Sequence, residues 1–522
     1  MSTIRRSGAA MVAFGAVIAV AGCTPTPEPP EPQAVVVQAP DAPLTVIDET
    51  DAAGAALAAS SAFFDTSPVV VVAADAADVA VAAGVAVELG VPLLLEPDSD
   101  SPDATAPPTT TASPTPRATA DAILAELDRL DATEIVAIGS DDDAAVLSET
   151  YVDRGVVTVS GDDAASDAEA AVDDLGIALE HDASAAVVLA TDDSAAVATA
   201  RAAGADVQML PADDPNPQRS ADAITALHEA DGAPAVAIGR GFAASDALDW
   251  QVRTARTGAQ LPGGGQVLFP DRLLVALYGK PGAPTLGVLG EQPLEATVQR
   301  AAKVASDYDD LTDRTVVPAL EIITTVASGD PTSDGDFSSE PDAAGLVPWI
   351  EAAGAAGQYV ILDLQPGRDS FPTQLDEYRA LLEYPWVGLA LDPEWRLDAN
   401  QRHLVDIGQV DASEVNQVID ELAAICDEHD LPPKLLVLHQ FRADMILHRE
   451  RVDVDRPEVD VLFHVDGNGT QPAKQATWNA LREGAPDAAW GWKNFIDEDA
   501  PMLTPEQTMT EVVPAPDLVS YQ

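Results

Sequence analysis

The chain has 522 residues, and its 87 acidic against 27 basic side chains give a formal net charge of −60. Such a surface repels phosphate backbones, so we expect no nucleic-acid partner. The acidity is typical of proteins from salty surroundings, and the alternative is weak binding of divalent cations in an anionic cell wall.

The N-terminus predicts an exported, lipid-anchored protein. Arg5 and Arg6 precede an apolar run that ends in Ala-Gly-Cys at Cys23, which is the layout of a secretory signal with small residues at its cleavage site. It resembles a bacterial lipobox, which implies removal of residues 1–22 and acylation of Cys23. An uncleaved transmembrane anchor is the alternative, but the run is shorter than the roughly 20 residues that span a bilayer. We expect attachment to the extracellular face of the cell membrane, with the bilayer as a partner.

Residues 23–45 are predicted to form a lipidated cysteine followed by a Pro-rich, acidic tether. Polyproline-like extension at about 3 Å per residue would reach roughly 60 Å from the membrane. The other cysteine, Cys426, lies in an apolar helical pattern, which indicates a small buried hydrophobe rather than a nucleophile. The chain then has no cysteine pair for a disulfide, so the fold must depend on ordinary hydrophobic cores.

Residues 46–250 contain a duplicated pattern of short apolar strands and Ala-rich helices. The first copy runs from Val69 to Gly139 and the second from Val187 to Gly239, and each ends in the sequence VAIG. Short apolar strands that alternate with helices predict parallel-sheet α/β units. The order of elements resembles the type 2 cell-wall-binding repeats of Gram-positive surface proteins. The resemblance implies a cell-wall polymer as partner, and a generic α/β scaffold is the alternative.

The composition changes near residue 250, because all seven tryptophans lie at or after Trp250. Residues 251–522 read as repeated strand–helix units. The predicted strands are Leu273–Tyr278, Val316–Ile323, Tyr359–Leu364, Val387–Leu391, Leu435–His439, Val459–Val465 and Ala488–Trp492. The predicted helices are Leu294–Ser306, Ala343–Ala355, Phe371–Leu382, Ala412–His429 and Ala473–Arg482. This order predicts a (β/α)₈-type, TIM-like barrel, complete or with one weak strand.

Polar and aromatic residues recur at the carboxyl ends of these strands, where such barrels carry their functional groups. In the fourth strand, the period of two places Asp392 and Glu394 on the same face as the small residues Gly388 and Ala390. The candidate site residues are Glu321, Asp363, Gln365, Asp392, Glu394, Trp395, His439, His464, Asp466, Trp490 and Trp492. The alternative for any single acid is structural, as a helix cap or as a partner of Arg368 or Arg396.

Two chemistries could use this set. Glycoside hydrolysis needs two carboxyl groups that flank the scissile bond. We predict Glu394 as the general acid, with Asp392 or Asp363 orienting it or stabilising positive charge, and with the other residues of the set binding substrate. The rival is metal-assisted hydrolysis with His439, His464 and Asp466 as ligands. Because the chain has no His-x-His or His-Glu-x-x-His motif, we expect neither a metal nor a cofactor.

Residues 266–500 resemble glycoside-hydrolase-like barrels of uncharacterised secreted actinobacterial proteins. The resemblance depends on VGLALDPEWR at 387–396 and KLLVLHQF at 434–441. It implies a surface lipoprotein that acts on or binds cell-wall or environmental glycan. The Asp-x-x-Asp-x-Asp-x-Glu run of chitinase barrels is absent, so no catalytic pair is transferred. The alternative is a non-catalytic binding or scaffold lipoprotein with a degenerate barrel.

Overall fold

The computed structural model describes residues 34–96, 120–161, 163–177 and 179–522. The predicted signal peptide and Cys23 lie outside these ranges. Within them, no helix combines the length and apolar character needed to cross a bilayer.

The N-terminal half is built from short strands and helices that alternate along the chain. In chain order these are β1 (Val36–Val37), β2 (Leu44–Ile47), α1 (Ala52–Phe63), β3 (Phe64–Thr66), β4 (Val69–Ala73), α2 (Val79–Leu89), β5 (Leu93–Leu95), α3 (Ala120–Arg129), β6 (Glu134–Ile138), α4 (Asp141–Thr150), β7 (Gly155–Val159), α5 (Ala164–Leu175), β8 (Val187–Ala190), α6 (Ala195–Ala202), β9 (Asp206–Met209), α7 (Ala221–Glu229), β10 (Ala235–Ile238), α8 (Arg240–Ala243) and α9 (Leu248–Arg256).

Two four-stranded parallel sheets organise this half, with the strand orders β5-β4-β6-β7 and β9-β8-β10-β2. Each sheet contains three strands from one copy of the duplicated pattern, and the first strand of the copy lies between the second and the third. These strands are β5, β4 and β6 in the first sheet and β9, β8 and β10 in the second. The fourth position differs. In the first sheet it is filled by β7, which follows in the same unit, whereas in the second sheet it is filled by β2, which precedes both units.

The position of β2 corrects the predicted extent of the tether. Residues from 34 onward belong to the folded part, because β1 pairs with β3 and β2 pairs in register with β10. The Ser184 hydroxyl also donates a hydrogen bond of 2.9 Å to the Gln38 carbonyl oxygen. The expectation of an extended spacer through residue 45 was therefore wrong for residues 34–45.

The two sheets share one core, in which α6 is the central helix. Its short side chains pack with those of α1 and α2, and the residues Ala195–Ala200 are all buried. Thr199 of α6 reaches the free edge of β5, where its Oγ1 accepts a hydrogen bond of 3.1 Å from Leu93 N and donates one of 3.2 Å to Leu93 O. The Thr199 side chain thus satisfies the backbone N–H and C=O groups of Leu93 that a neighbouring strand would otherwise pair.

The C-terminal half starts after Arg256. Its elements are β11 (Arg272–Gly279), α10 (Leu294–Ser306), β12 (Thr315–Ile323), β13 (Val326–Ala327), β14 (Ser338–Ser339), α11 (Val347–Ala355), β15 (Tyr359–Leu364), α12 (Phe371–Tyr378), β16 (Val387–Leu391), β17 (Val410–Asp411), α13 (Ala412–His429), β18 (Lys434–Gln440), β19 (Ile446–Leu447), β20 (Val459–Val465), α14 (Gln471–Arg482), β21 (Ala489–Asn494), α15 (Pro505–Glu511) and β22 (Leu518–Tyr521).

Eight parallel strands close into a barrel in the order β11-β12-β15-β16-β18-β20-β21-β22. This confirms the predicted TIM-like barrel, and β22 is the strand that the predicted set lacked. Outward-facing side chains pack under the helices, and Cys426 of α13 is fully buried there, as predicted. Alternate residues fill the interior with a second, smaller core.

The N-terminal half contacts the end of the barrel where the strands begin. Arg219 pairs with Asp271, immediately before β11, at 2.5 Å. Arg253 of α9 pairs with Asp427 at 2.6 Å and also with Asp430, just after α13. The opposite end of the barrel, where the strands finish, therefore remains available for a site.

Candidate functional site

A layer of polar side chains lies at the carboxyl end of the barrel, directly above the interior apolar core. It arises from the period of two, because in each strand the polar residue follows two positions after a residue that faces the interior. The pairs are Ala276 and Tyr278, Ala319 and Glu321, Ile361 and Asp363, Ala390 and Asp392, Val437 and His439, Leu462 and His464, Gly491 and Lys493, and Leu518 and Ser520.

His439 lies between two carboxylates. Its Nε2 is 2.7 Å from Glu321 Oε1, and its Nδ1 is 2.9 Å from Asp466 Oδ2. Burial alone would lower the pKa of His439, but the two acids outweigh it and raise that pKa well above its usual value. Burial works against ionisation of Asp466 too, yet the hydrogen bond and charge of His439 hold the pKa of this carboxyl below its usual value.

Tyr278, Asp363 and Lys493 form a second polar group. The Tyr278 hydroxyl donates a hydrogen bond of 2.8 Å to Asp363 Oδ2, and Lys493 Nζ lies 3.4 Å from the centre of the Tyr278 ring. Burial raises the pKa of Asp363 to about 6. Burial and the nearby carboxylates raise the pKa of Tyr278 well above its usual value, so this hydroxyl remains a donor.

His464 is next to His439, with the ring centres 4.9 Å apart, and its Nε2 is 3.1 Å from the Ser520 hydroxyl. Burial and the charge of His439 lower its pKa well below the usual value, so His464 is neutral. Several buried atoms of the layer have no hydrogen-bond partner among the described residues. They are Glu321 Oε2, Asp363 Oδ1, Asp392 Oδ1, His464 Nδ1 and Asp466 Oδ1.

A cleft of about 660 Å³ opens above this layer. Of the predicted residues, its lining includes Gln365, Asp392, Glu394, Trp395 and Asp466. Burial and the charge of Asp466 raise the pKa of Glu394 to about 7, although Lys493 opposes this. Burial and the charge of Glu394 raise the pKa of Asp392 well above its usual value.

Aromatic side chains form part of the wall of the cleft. The rings of Trp395 and His403 stack with their centres 4.6 Å apart, and both residues line the cleft. Phe441 and Phe495 also line it. Flat apolar faces beside carboxyl groups suit a ligand with both apolar and hydroxylated surfaces.

The structure brings the predicted acids and histidines together but separates two tryptophans from them. Glu321, Asp363, His439 and His464 lie in the buried layer below the cleft. Trp490 and Trp492 instead pack against Trp478 of α14, with ring centres 5.9 and 5.7 Å apart. This corrects the expectation that they bind substrate, because they face the helices on the outside of the barrel.

Lys493 and Ser520 were missed by the sequence analysis. Lys493 had a weak signal, because it shares a strand face with the small residue Gly491, as Asp392 shares one with Gly388 and Ala390. This signal alone did not decide whether Lys493 or the neighbouring tryptophans face the interior. Ser520 had none, since its strand was not predicted.

The fold and site together define an α/β protein with a TIM-like barrel whose carboxyl end carries an acidic, aromatic-walled cleft. No family model, curated protein or solved structure matches the chain.

Proposed function

We propose that this chain is a surface lipoprotein whose barrel binds a glycan and hydrolyses its glycosidic bonds, with Glu394 as general acid. The observation that carries the proposal is the position of Glu394 on the cleft wall with a pKa of about 7. A carboxylic acid that keeps its proton near neutral pH can give it to the leaving oxygen as the bond breaks.

Asp466 is the best candidate for the second, negatively charged carboxyl group. It lines the cleft, its Oδ2 accepts the hydrogen bond from His439, and its Oδ1 has no partner among the described residues. A carboxylate held this way can stabilise positive charge on the sugar, activate water or attack directly. Asp392 fits a supporting role better, because its raised pKa favours the uncharged form.

The aromatic wall supports a carbohydrate ligand. Trp395 is oriented by its stack with His403, and Phe441 and Phe495 add further apolar faces. Sugars present flat C–H faces, and these pack on aromatic rings while the hydroxyl groups reach polar side chains. Gln365, which also lines the cleft, can supply such a polar contact.

The N-terminal half supports a location at the cell surface. The lipobox at Cys23 and the likeness to cell-wall-binding repeats both suit a glycan of the wall or its surroundings. The two similar parallel sheets are compatible with this role.

The test is a screen of the mature chain, residues 23–522, on neutral and charged polysaccharides with detection of new reducing ends. Glu394→Gln should reduce turnover by about 10²–10⁴-fold while the protein still binds the glycan. Glu498→Gln is the matched control, because Glu498 is an exposed glutamate on the lining of the same cleft. Equal turnover in wild type and Glu394→Gln would remove Glu394 from the reaction.

The alternative is a binding lipoprotein with a degenerate barrel. It is favoured by one observation, which is that His439 is already paired with both Glu321 and Asp466 in the buried layer. Tight glycan binding without turnover by the wild type would establish this alternative.

A further inference from the structure

Glu321, His439 and His464 converge at one point inside the barrel, in the layer beneath the cleft. One ligand-type atom from each lies within 4.8 Å of the others, and all three residues are fully buried. His439 and His464 are register partners on the neighbouring strands β18 and β20. Glu321 reaches across the barrel from β12. All three side chains are thus held by strands rather than by loops.

Two of the atoms in this cluster are unpartnered and could bind a cation. Glu321 Oε2 and His464 Nδ1 are both buried and have no hydrogen-bond partner among the described residues. A buried polar atom without a partner lowers the stability of the fold, because it has lost the hydrogen bonds it made with water. A cation bound by the three residues would satisfy both atoms at once.

The opposite ring nitrogens are arranged as metal-binding histidines require. His439 Nδ1 is next to the Asp466 carboxylate, and His464 Nε2 is next to the Ser520 hydroxyl. Histidines that bind metals through one nitrogen almost always donate the other N–H to a carboxylate, carbonyl or similar acceptor, which fixes the ring orientation. His439 would then bind through Nε2 and His464 through Nδ1. The ion would replace the hydrogen bond that His439 Nε2 makes with Glu321 Oε1, and the proton in that bond would be released to solvent.

Carboxyl groups also surround the centre. Those of Glu321, Asp363, Asp392 and Asp466 approach it, and the basic groups that act on them or on His464 include His439, Lys493 and Lys474. Asp392 and Asp466 form a second three-residue group with His439, also within 4.8 Å. This second group lies between the buried centre and the cleft, so it offers a path of oxygen atoms for an entering ion.

We propose that Glu321, His439 and His464 form a binding site for one divalent transition-metal ion, for which Zn²⁺ is the representative. Two imidazole nitrogens and one carboxylate suit Zn²⁺ and its neighbours, whereas Ca²⁺ and Mg²⁺ prefer oxygen ligands alone. The site goes beyond the proposed hydrolysis and does not depend on it, because Glu394 is not a ligand.

The experiment measures Zn²⁺ binding by the chelator-treated mature chain. Equilibrium dialysis is done with Mg²⁺ in large excess, so that the acidic surface is already occupied. We expect about one tightly bound Zn²⁺ per chain. Co²⁺ in place of Zn²⁺ should give visible absorption bands that report nitrogen and oxygen coordination. Glu394→Gln should bind the ion as the wild type does, which separates this result from any failure of hydrolysis.

Three variants decide the outcome. His464→Gln should abolish tight binding. Ser520→Ala keeps all three ligands and should weaken binding by about 10–100-fold through the His464 ring. His448→Ala is the control, because His448 is exposed and paired with Asp411 at 2.7 Å. The proposal is overturned if the wild type takes up no Zn²⁺ above His464→Gln. If His464→Gln does not fold, unchanged affinity in Ser520→Ala overturns it.

Discussion

The Tyr278 hydroxyl is the hydrogen-bond partner of Asp363, at 2.8 Å, inside a barrel where both side chains are almost completely buried. The other carboxylate oxygen, Asp363 Oδ1, has no partner among the described residues. Among the described residues, the Tyr278 hydroxyl is therefore the hydrogen-bond donor to the Asp363 carboxyl group.

Tyr278→Phe should destabilise the protein by about 1–3 kcal/mol, because it leaves a buried carboxyl group without its donor. The free energy of unfolding from urea titration checks this. Tyr384→Phe is the matched control, since Tyr384 is half-buried and its hydroxyl makes no hydrogen bond within the described residues. Equal stability of the two variants would mean that the Tyr278–Asp363 bond contributes nothing.

Hydrolysis should have an alkaline limit near pH 7. Glu394 must be protonated to act as an acid, and its pKa is about 7, so kcat/KM should fall as the pH rises through that value. Rates on a glycan between pH 4 and 9 test this.

An aryl glycoside with an acidic phenol as leaving group provides the internal control for that profile. The leaving oxygen of such a substrate needs little protonation, so Glu394→Gln should hydrolyse it at much of the wild-type rate. The decrease of kcat/KM near pH 7 should be absent from the pH profile of this variant. If kcat/KM of the variant still falls near pH 7, the group that titrates there is not Glu394.

Thr199→Val should destabilise the N-terminal half by about 1–3 kcal/mol or more. Valine has the same shape but leaves Leu93 N and Leu93 O, both buried at the edge of β5, without partners. Thermal unfolding followed by circular dichroism gives the measurement. Thr225→Val is the control, because Thr225 is exposed and only bonds its own helix. Similar losses for both variants would contradict the role of Thr199.

Lys434 should make stability depend on alkaline pH. It is fully buried, and burial lowers its pKa from 10.5 to about 8. Between those values Lys434 binds a proton more fully in the unfolded chain than in the folded one, so its contribution to the free energy of unfolding rises with pH. Below about pH 8 both states are protonated and the dependence vanishes.

The comparison with Lys434→Met isolates this effect. The free energy of unfolding of the wild type minus that of the variant should rise between about pH 8 and 10.5, by up to about 1.4 kcal/mol per pH unit. The difference is the quantity to measure, because burial raises the pKa of Cys426 to about 12 and its titration opposes that of Lys434 in both proteins. Lys303→Met, at an exposed lysine, should show no such difference from the wild type. A parallel pH dependence in wild type and Lys434→Met would show that Lys434 does not titrate in this range.

The sequence was sufficient for most of the barrel, because each strand is an apolar run bounded by a helix pattern. The helices Leu294–Ser306 and Ala412–His429 have the predicted bounds. The strand Leu518–Tyr521 was not predicted, because a strand of four residues after a Pro-rich segment carries little periodic signal. For Trp490 and Trp492 the alternation was clear but its phase was not, since either the tryptophans or Gly491 and Lys493 could face inward.

Contacts across the barrel could not be predicted. Glu321 and His439 are 118 positions apart in the chain, and the strands β12 and β18 that carry them are not neighbours. Strand ends indicated which residues approach the site, but the pairing of acids with histidines depends on strand order and register. The strand β2 was not predicted for the same reason, because its partner β10 lies almost 200 residues later in the chain.

The early entry of the chain into the fold, through β1 and β2, has a mechanical consequence under the predicted anchoring at Cys23. Residue 34, where the described part begins, lies 11 positions after Cys23, a distance that an extended chain spans in roughly 30 Å. A pull from the N-terminus would first load the pairing of β1 with β3 and the hydrogen bond between Ser184 and Gln38. Only after these contacts open would the load reach the parallel pairing of β2 with β10. The N-terminal half would therefore receive the load before the barrel does.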